Sequence, residues 1–570
     1  MPTNTTRLAA PHPAAVSLPY LTADAGARRL RIAVLIDAAG TPIYAQSILD
    51  DLLKANYIDV VQYIVATPAK PRFARPHSDG LLLDAYSFYL GLKYRAGPDP
   101  LELVDGAALL RQVPYRAIQL TNLDRERGMK PEDVQFVESL KLDVLIDFGA
   151  RAIRGAATGA AREGIWRYHF GDSRRYPAGS GYIRELVDGS PLSSIELIRL
   201  GRTLRADRVL ERVQFSTAPF LSKVANRYAP IWGARHLVIQ QLWKLQRTLA
   251  IPALQIEPSH GVHPPPHLVG LRRPGAFALA RWLLAEGSRR LLGSRHHVNQ
   301  PLQWRIGIRR ADIPLHQDAS LESLRRFQWL PVPALQSWAD PFLVQHGTST
   351  WLFFEFIDKP GHRGQISCGK LTDEGNLVDP RPVLTKEYHL SYPQLIQANG
   401  EIYMLPEAAQ SGGVDLYRAR AFPDQWEFVR RLVEFRCVDS TIFPHAGRWW
   451  MMTSPQVVPG HAPITWLFQS DEIEGPWRIH PASPIATDAS IARGAGAVFA
   501  SEQALIRPSQ DCSTAYGRAI LFNKILSMTN ESYEEQTICR VNAGWESGLM
   551  GVHTYSRTSG WEAIDGGFRQ

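Results

Sequence analysis

Residues 439–454 read DSTIFPHAGRWWMMTS, and four other stretches follow the same plan. They are 340–355 (DPFLVQHGTSTWLFFE), 392–407 (YPQLIQANGEIYMLPE), 495–510 (AGAVFASEQALIRPSQ) and 551–566 (GVHTYSRTSGWEAIDG). Each is a short apolar strand, a turn of polar and small residues, and a second apolar strand. The starts lie 52, 47, 56 and 56 residues apart, which leaves room for four strands per unit. A repeat of this length built from antiparallel strands predicts a β-propeller. One unit cannot bury both of its faces, so blades stack around an axis and leave a funnel at the centre. Five repeats predict five blades, over residues 299–570.

The bulk composition sets the frame. At 570 residues the chain is long enough for two or three domains, each with its own core. A hydrophobic share of 45% and a charged share of 21% are ordinary globular values. Net charge is +8, and only 11 of the 63 basic residues are Lys. That Arg-rich usage fits phosphate or carboxylate recognition, and it fits the codon bias of a GC-rich bacterial genome equally. The basic residues are scattered and form no nucleic-acid tail, so no nucleic-acid partner is expected. Cys368, Cys437, Cys512 and Cys539 lack CxxC spacing and read as reduced core thiols. Residues 1–28 read as a flexible tail without a signal peptide. No run approaches 18 apolar residues, so no transmembrane segment and a cytoplasmic location are expected.

The N-terminal half follows another rule. Residues 30–36 (LRIAVLI) form a near-continuous apolar run, as in a central parallel strand covered on both faces. A helix over 43–53 and strands over 58–66, 142–148 and 165–170 complete an alternating pattern, which predicts an α/β layer over 29–215. The loop after the first strand holds one glycine, Gly40, where a dinucleotide fingerprint needs three.

The order of elements from 142 to 208 resembles the formyltransferase family. It runs through VLIDFGA, the strand GIWRYHF, the RRYP segment, the helix YIRELVDG and the strand SSIELIRLG. The resemblance implies an Asn–His–Asp constellation using formyl-tetrahydrofolate. Here His169 matches the family His, Arg167 stands at the Asn position, and the Asp loop reads GRTLRADRVL. Asp207 lies near the family Asp, although the register places Arg205 there. Arg cannot accept a proton, so this pocket is expected to be degenerate in formyl transfer.

Residues 216–298 read as a helical connector, with helical spacing over 221–249 and 276–292. Between these stretches a Pro-rich loop carries His260, His263 and His267. No carboxylate or Cys accompanies them, and no metal is expected.

The C-terminal stretches WADPFLV, YHLSYPQLIQANGEIYMLPE, VDSTIFPHAGRWWMMTS and RPSQDCSTAYGRAI resemble the N-terminal region of plant glucosamine inositolphosphorylceramide transferases. More distantly they resemble five-bladed furanosidase-type glycosidases. The first resemblance implies a carbohydrate context. The second implies acidic residues at the starts of the innermost strands: a base, a pKa-tuning acid and a Glu donor. Asp340 and Asp439 hold the first template position in blades one and three, where Tyr392 in blade two is placed to stack on a sugar. Glu355 and Glu407 hold the last position, occupied in blades three and four by Ser454 and Gln510. Inverting glycosidases separate two carboxyls by roughly 6.5–9.5 Å, a gap that a funnel can supply. The alternative is that these aspartates cap backbone donors. His389, His445, Arg507, Asp511 and His553 are further funnel candidates, with Arg507 and Asp511 positioned to pair with each other.

These readings predict a carbohydrate-active protein of glycan or glycolipid biosynthesis, with a sugar, nucleotide-sugar or glycan ligand and no cofactor. A sugar N-formyltransferase using formyl-tetrahydrofolate and a non-catalytic glycan-binding scaffold are the alternatives.

Overall fold

The apolar run at the start of the chain becomes the strand Leu30–Asp37, in which Ala33, Val34 and Leu35 are all fully buried. Three successive buried residues require cover on both faces of the sheet. The computed structural model describes residues 18–68, 99–104, 113–248, 281–282, 284 and 302–569, except 24–25, 27, 124–125, 150, 177–181, 204–205, 218–222, 312, 457–461, 503 and 559. Two units partition the chain, residues 1–286 and 287–570.

In the first unit Leu30–Asp37 pairs in parallel with Ile58–Pro68 on one side and Val144–Asp147 on the other. Val144–Asp147 pairs in parallel with Ile165–Phe170, and Ile58–Pro68 with Tyr115–Leu123. Two antiparallel strands, Leu192–Leu200 and Arg208–Ser216, extend the edge, giving a mixed nine-stranded sheet. Helix Ile43–Lys54 turns Tyr44, Ala45, Ile48, Leu49 and Leu52 inward. Helices Lys223–Gly233 and Leu237–Thr248 also pack on this layer, with Leu237, Val238, Leu242 and Leu245 buried. The stretch 221–249, expected as one connector helix, forms these two, and their apolar faces find cover on the sheet. His260, His263 and His267 lie outside the described residues.

The second unit is a five-bladed propeller. Blades one and two are four-stranded antiparallel sheets, opening with Ser337–His346 and Ser391–Ala398. Blades three and four open with Cys437–His445 and Phe499–Ser501. Blade five takes its inner strands, Tyr555–Thr558 and Trp561–Phe568, from the end of the chain. Its outer strands, Gln303–Arg310 and Gln328–Trp329, come from the start of the unit. Joining both chain ends in one sheet closes the ring and leaves no free inner edge. Leu352, Phe353 and Phe354 in blade one are fully buried, each stabilising by about 1.5–3 kcal/mol through apolar burial. All four cysteines are unpaired, two of them fully buried in blade cores.

Candidate functional site in the propeller funnel

Three inner strands carry the same kink. Asp340, Tyr392 and Asp439 have φ of 50°, 47° and 49°, left-handed values that non-glycine residues adopt only at a cost of about 1–3 kcal/mol. In each blade the ladder skips two residues at this point: between Ala339 and Phe342, Ser391 and Gln394, and Val438 and Thr441. The kink turns the side chain out of the ladder, and the register sets a partner beside it. Ala339 pairs with Glu355 and Ser391 with Glu407. Asp340, Glu355, Glu407 and Asp439 therefore lie at one end of three consecutive blades.

Asp340 is buried and its carboxylate is well satisfied. Thr554 Oγ1 of blade five donates to its Oδ1 at 2.7 Å, and Tyr392 N of blade two donates to its Oδ2 at 3.2 Å. Its own N–H donates to Asp565 Oδ2 at 2.9 Å. His553 stands between the two acids, with Nε2 3.7 Å from Asp340 and Nδ1 2.6 Å from Asp565. The shorter approach is out of line for a hydrogen bond, and Nδ1 has no aligned acceptor. Burial pushes the Asp340 pKa up to about 7, opposed by His553 and reinforced by Glu355, Asp565 and Asp439. Burial pulls His553 down, but Asp565 and then Asp340 more than reverse it, lifting the imidazole to about 9. A group of ligand atoms from Asp340, His553 and Asp565 lies within 4.8 Å. Asp565 Oδ1 already accepts the N–H groups of His553 and Thr554, so the cluster is built around donors and an imidazolium.

The second cluster is cationic at its centre. Arg493 pairs through Nε with Asp439, and its Nη2 lies 3.9 Å from Glu407. Burial opposes the Arg493 charge, yet Asp439 and its other neighbours hold it firmly protonated. Gln510 Nε2 donates to Asp439 at 3.3 Å. Burial and the Asp439 charge raise the Glu407 carboxyl well above the usual carboxylate range, and a hydrogen bond to Asp439 reinforces the rise. Glu407 is thus a buried carboxyl biased toward its protonated form beside an Arg-bound aspartate. That pairing has the chemistry of a general acid.

An aromatic platform adjoins both clusters. Trp304 stacks on His553 at 4.1 Å, and Tyr516 meets both rings edge-on, 6.2 Å from Trp304 and 5.2 Å from His553. The Arg493 guanidinium sits 4.7 Å from the Tyr516 ring centre. Tyr516 remains 47% exposed, a large ring open to solvent among buried polar groups. At the rim, Glu355 Oε1 lies 3.1 Å from His389 Nε2, while Gly364 N donates to His389 Nδ1 at 2.9 Å. That donor fixes the tautomer with the proton on Nε2 facing Glu355.

Some expected residues lie elsewhere. Tyr392 is fully buried; its hydroxyl accepts from Gly496 N at 2.6 Å and meets Thr441 Oγ1 at 3.3 Å. No ring face remains for a sugar, and the residue bridges blade two to blades three and four. His445 ends its strand at the hairpin opposite Asp439, about 20 Å along at strand rise. Arg507 and Asp511 do not pair with each other. Arg507 binds Glu535 of its own blade, with Nε–Oε2 at 2.7 Å, and Asp511 pairs with Arg540. Arg493, Tyr516, Trp304 and Asp565 were missed. Arg493 is the lone charge in the small-residue run SIARGAGA, and that isolation was the available signal.

In the first unit, His169 Nε2 lies 3.0 Å from the Tyr176 carbonyl oxygen, and burial lowers the pKa of its ring. Arg167 donates to Asp147 at 3.0 Å and to Gly149 O at 2.7 Å. Asp207 pairs with Arg154 and accepts from Gly201 N at 2.8 Å. All three expected pocket residues have intramolecular partners.

Residues 333–551 match a known family model. Its description is glucosamine inositolphosphorylceramide transferase 1, N-terminal. The chain is 33% identical over 249 residues to the glucosamine inositolphosphorylceramide transferase 1 of Oryza sativa subsp. japonica, covering 40% of this chain and 33% of that protein. Its Arabidopsis thaliana namesake is 36% identical over 203 residues, covering 35% of this chain and 26% of that protein. The chain thus spans about a third or less of the length of these relatives. Among solved structures, a GH43_1 enzyme from Xanthomonas citri aligns at 13% identity and TM-score 0.32, over 44% of this chain and 93% of that one. A glycinamide ribonucleotide transformylase 1 from Symbiobacterium toebii aligns at 13% and 0.27, over 38% and 88%. Among the described residues no helix is long and apolar enough to cross a membrane.

Proposed function

We propose that the propeller is a carbohydrate-active unit of glycan or glycolipid biosynthesis that holds a sugar in its funnel and acts at a glycosidic bond. Glu407 serves as proton donor, Asp439 with Arg493 tunes it, and Asp340 is the proton acceptor, with Tyr516 stacking on the sugar ring. The observation that carries this reading is the convergence of four carboxyl groups from three blades, one biased by burial toward its protonated form and one ion-paired with arginine, beside an exposed aromatic ring. Buried carboxyls pushed to different pKa values are the arrangement that acid–base work at one bond needs. The likeness to the plant glucosamine inositolphosphorylceramide transferase 1 proteins supports a carbohydrate context for the propeller. The first unit is proposed to be inactive in formyl transfer, since Arg167, His169 and Asp207 are all engaged by protein partners.

A panel of unactivated disaccharides and methyl glycosides, including the glucosaminide, tests the reading. Release of free sugar that falls at least a hundredfold in Glu407→Gln, with unchanged melting, is the expected result. Turnover indifferent to Glu407, Asp340 and Asp439 would overturn it.

A further inference from the structure

Beside the funnel lies a pocket of about 490 Å³ lined by Phe356, Asp358, the 361–365 loop, Thr385 and Lys386. It sits at the site end of blade one, because the loop follows Glu355 directly and Lys386 precedes His389 and the kinked strand of blade two. The shared wall is Gly364. A Cβ there would come within 2.6 Å of Glu355 Oε1 and 2.8 Å of His389 Cε1. Only a glycine lets the pocket backbone reach the funnel's Glu355–His389 pair.

Two basic side chains, Arg363 and Lys386, line the pocket. Arg493, Arg507, Arg540, Arg431 and Arg381 all pair with carboxylates. Arg363 and Lys386 have no carboxylate partner among the described residues. The pocket's acid, Asp358, lies 3.6 Å from His362. Lys386 is held by the Tyr417 ring, 5.3 Å from its ammonium, a contact that leaves its N–H donors free for a ligand. A forked guanidinium and an ammonium facing one cavity match an oxyanion.

We propose that this pocket receives an oxyanion, phosphate or carboxylate, borne by the same ligand whose sugar occupies the funnel. Placing the sugar next door rests on the proposed function; the anion site itself rests on Arg363 and Lys386. The ligand is then an acidic saccharide or a sugar carrying a phosphoryl group, bridged across Gly364.

Calorimetric titration of the full chain with inorganic phosphate, glucose 1-phosphate, glucuronate and glucose tests this at low salt, where exposed charges act over about 10 Å or more. The oxyanions are expected to bind, with glucose 1-phosphate or glucuronate tighter than inorganic phosphate and glucose weakest. Whichever of the two charged sugars binds tighter identifies the anion. The variant Arg363→Ala/Lys386→Ala, altered at the pocket rim, should weaken every oxyanion about tenfold with unchanged melting, and Arg363→Lys should recover part. Glu407→Gln should leave inorganic phosphate untouched. If inorganic phosphate needs Arg363 but the sugar adds nothing, the anion site stands and the funnel reading falls. Oxyanion affinities equal in wild type and the double variant would overturn the proposal.

Discussion

Arg493 of the loop before blade four pairs through Nε with Asp439 of blade three, and the same guanidinium reaches Glu407 of blade two at 3.9 Å. One cation therefore serves two acids on separate blades, and at Glu407 it opposes the rise that burial and Asp439 impose. Arg493→Met strands a buried carboxylate and should destabilise the propeller by about 3–5 kcal/mol. Adding Asp439→Asn should restore much of that loss. Denaturant unfolding of the three variants measures the coupling, and strictly additive losses would show that the pair is not a unit.

The pH response follows from Asp340 and His553. Both have folded pKa values above their ordinary ones, about 7 against 3.8 and about 9 against 6.5. The folded state then holds protons more tightly, so each contribution to stability is full at low pH and lost as pH rises. For Asp340 the loss spans roughly pH 4–7, and for His553 roughly pH 6.5–9. Asp340→Asn should flatten the first window and His553→Gln the second in chemical denaturation at stepped pH. A wild type that gains stability across both windows relative to these variants would contradict the assignment.

Tyr392 and Tyr516 should separate stability from binding. Tyr392→Phe leaves Gly496 N buried without its acceptor, which should cost about 1–3 kcal/mol of stability and leave ligand affinity intact. Tyr516→Ala removes an exposed ring and should do the reverse. Melting temperatures and glycan affinities of the two variants give the readout.

Much of this was legible because propeller strands alternate on a period of two and their hairpins recur. The strands over 30–36, 58–66 and 165–170 were equally plain, being long buried runs. The fifth repeat starts one residue later than its sequence pattern implies: Thr558 pairs with Trp561 as His346 pairs with Ser349, which makes Val552 the counterpart of Asp340. A slip of one residue exchanges the faces of a strand, which hid Asp565 beside His553. Trp304 was missed because blade five borrows its outer strands from the start of the unit, with Arg310 paired to Trp561 and Gln303 to Phe568, a pairing that no local pattern signals. The two aspartates proved to satisfy backbone or side-chain partners and to carry shifted or paired charge as well. Sequence had posed those as alternatives.

Formyl transfer provides an independent check on the first unit. Incubation with formyl-tetrahydrofolate and amino-sugar nucleotides should yield no formylated product, because Arg167 and Asp207 are held by Asp147 and Arg154. Turnover abolished by His169→Ala would show that the pocket retains the family chemistry.

The most direct test of a sugar in the funnel is a glycan array read with wild type, Glu407→Gln and Tyr516→Ala proteins matched for melting temperature. The account predicts that wild type labels a defined set of hexosyl or amino-sugar glycans and that Tyr516→Ala loses that set at least tenfold. Labelling that survives in both variants, or wild type that labels nothing, would contradict it.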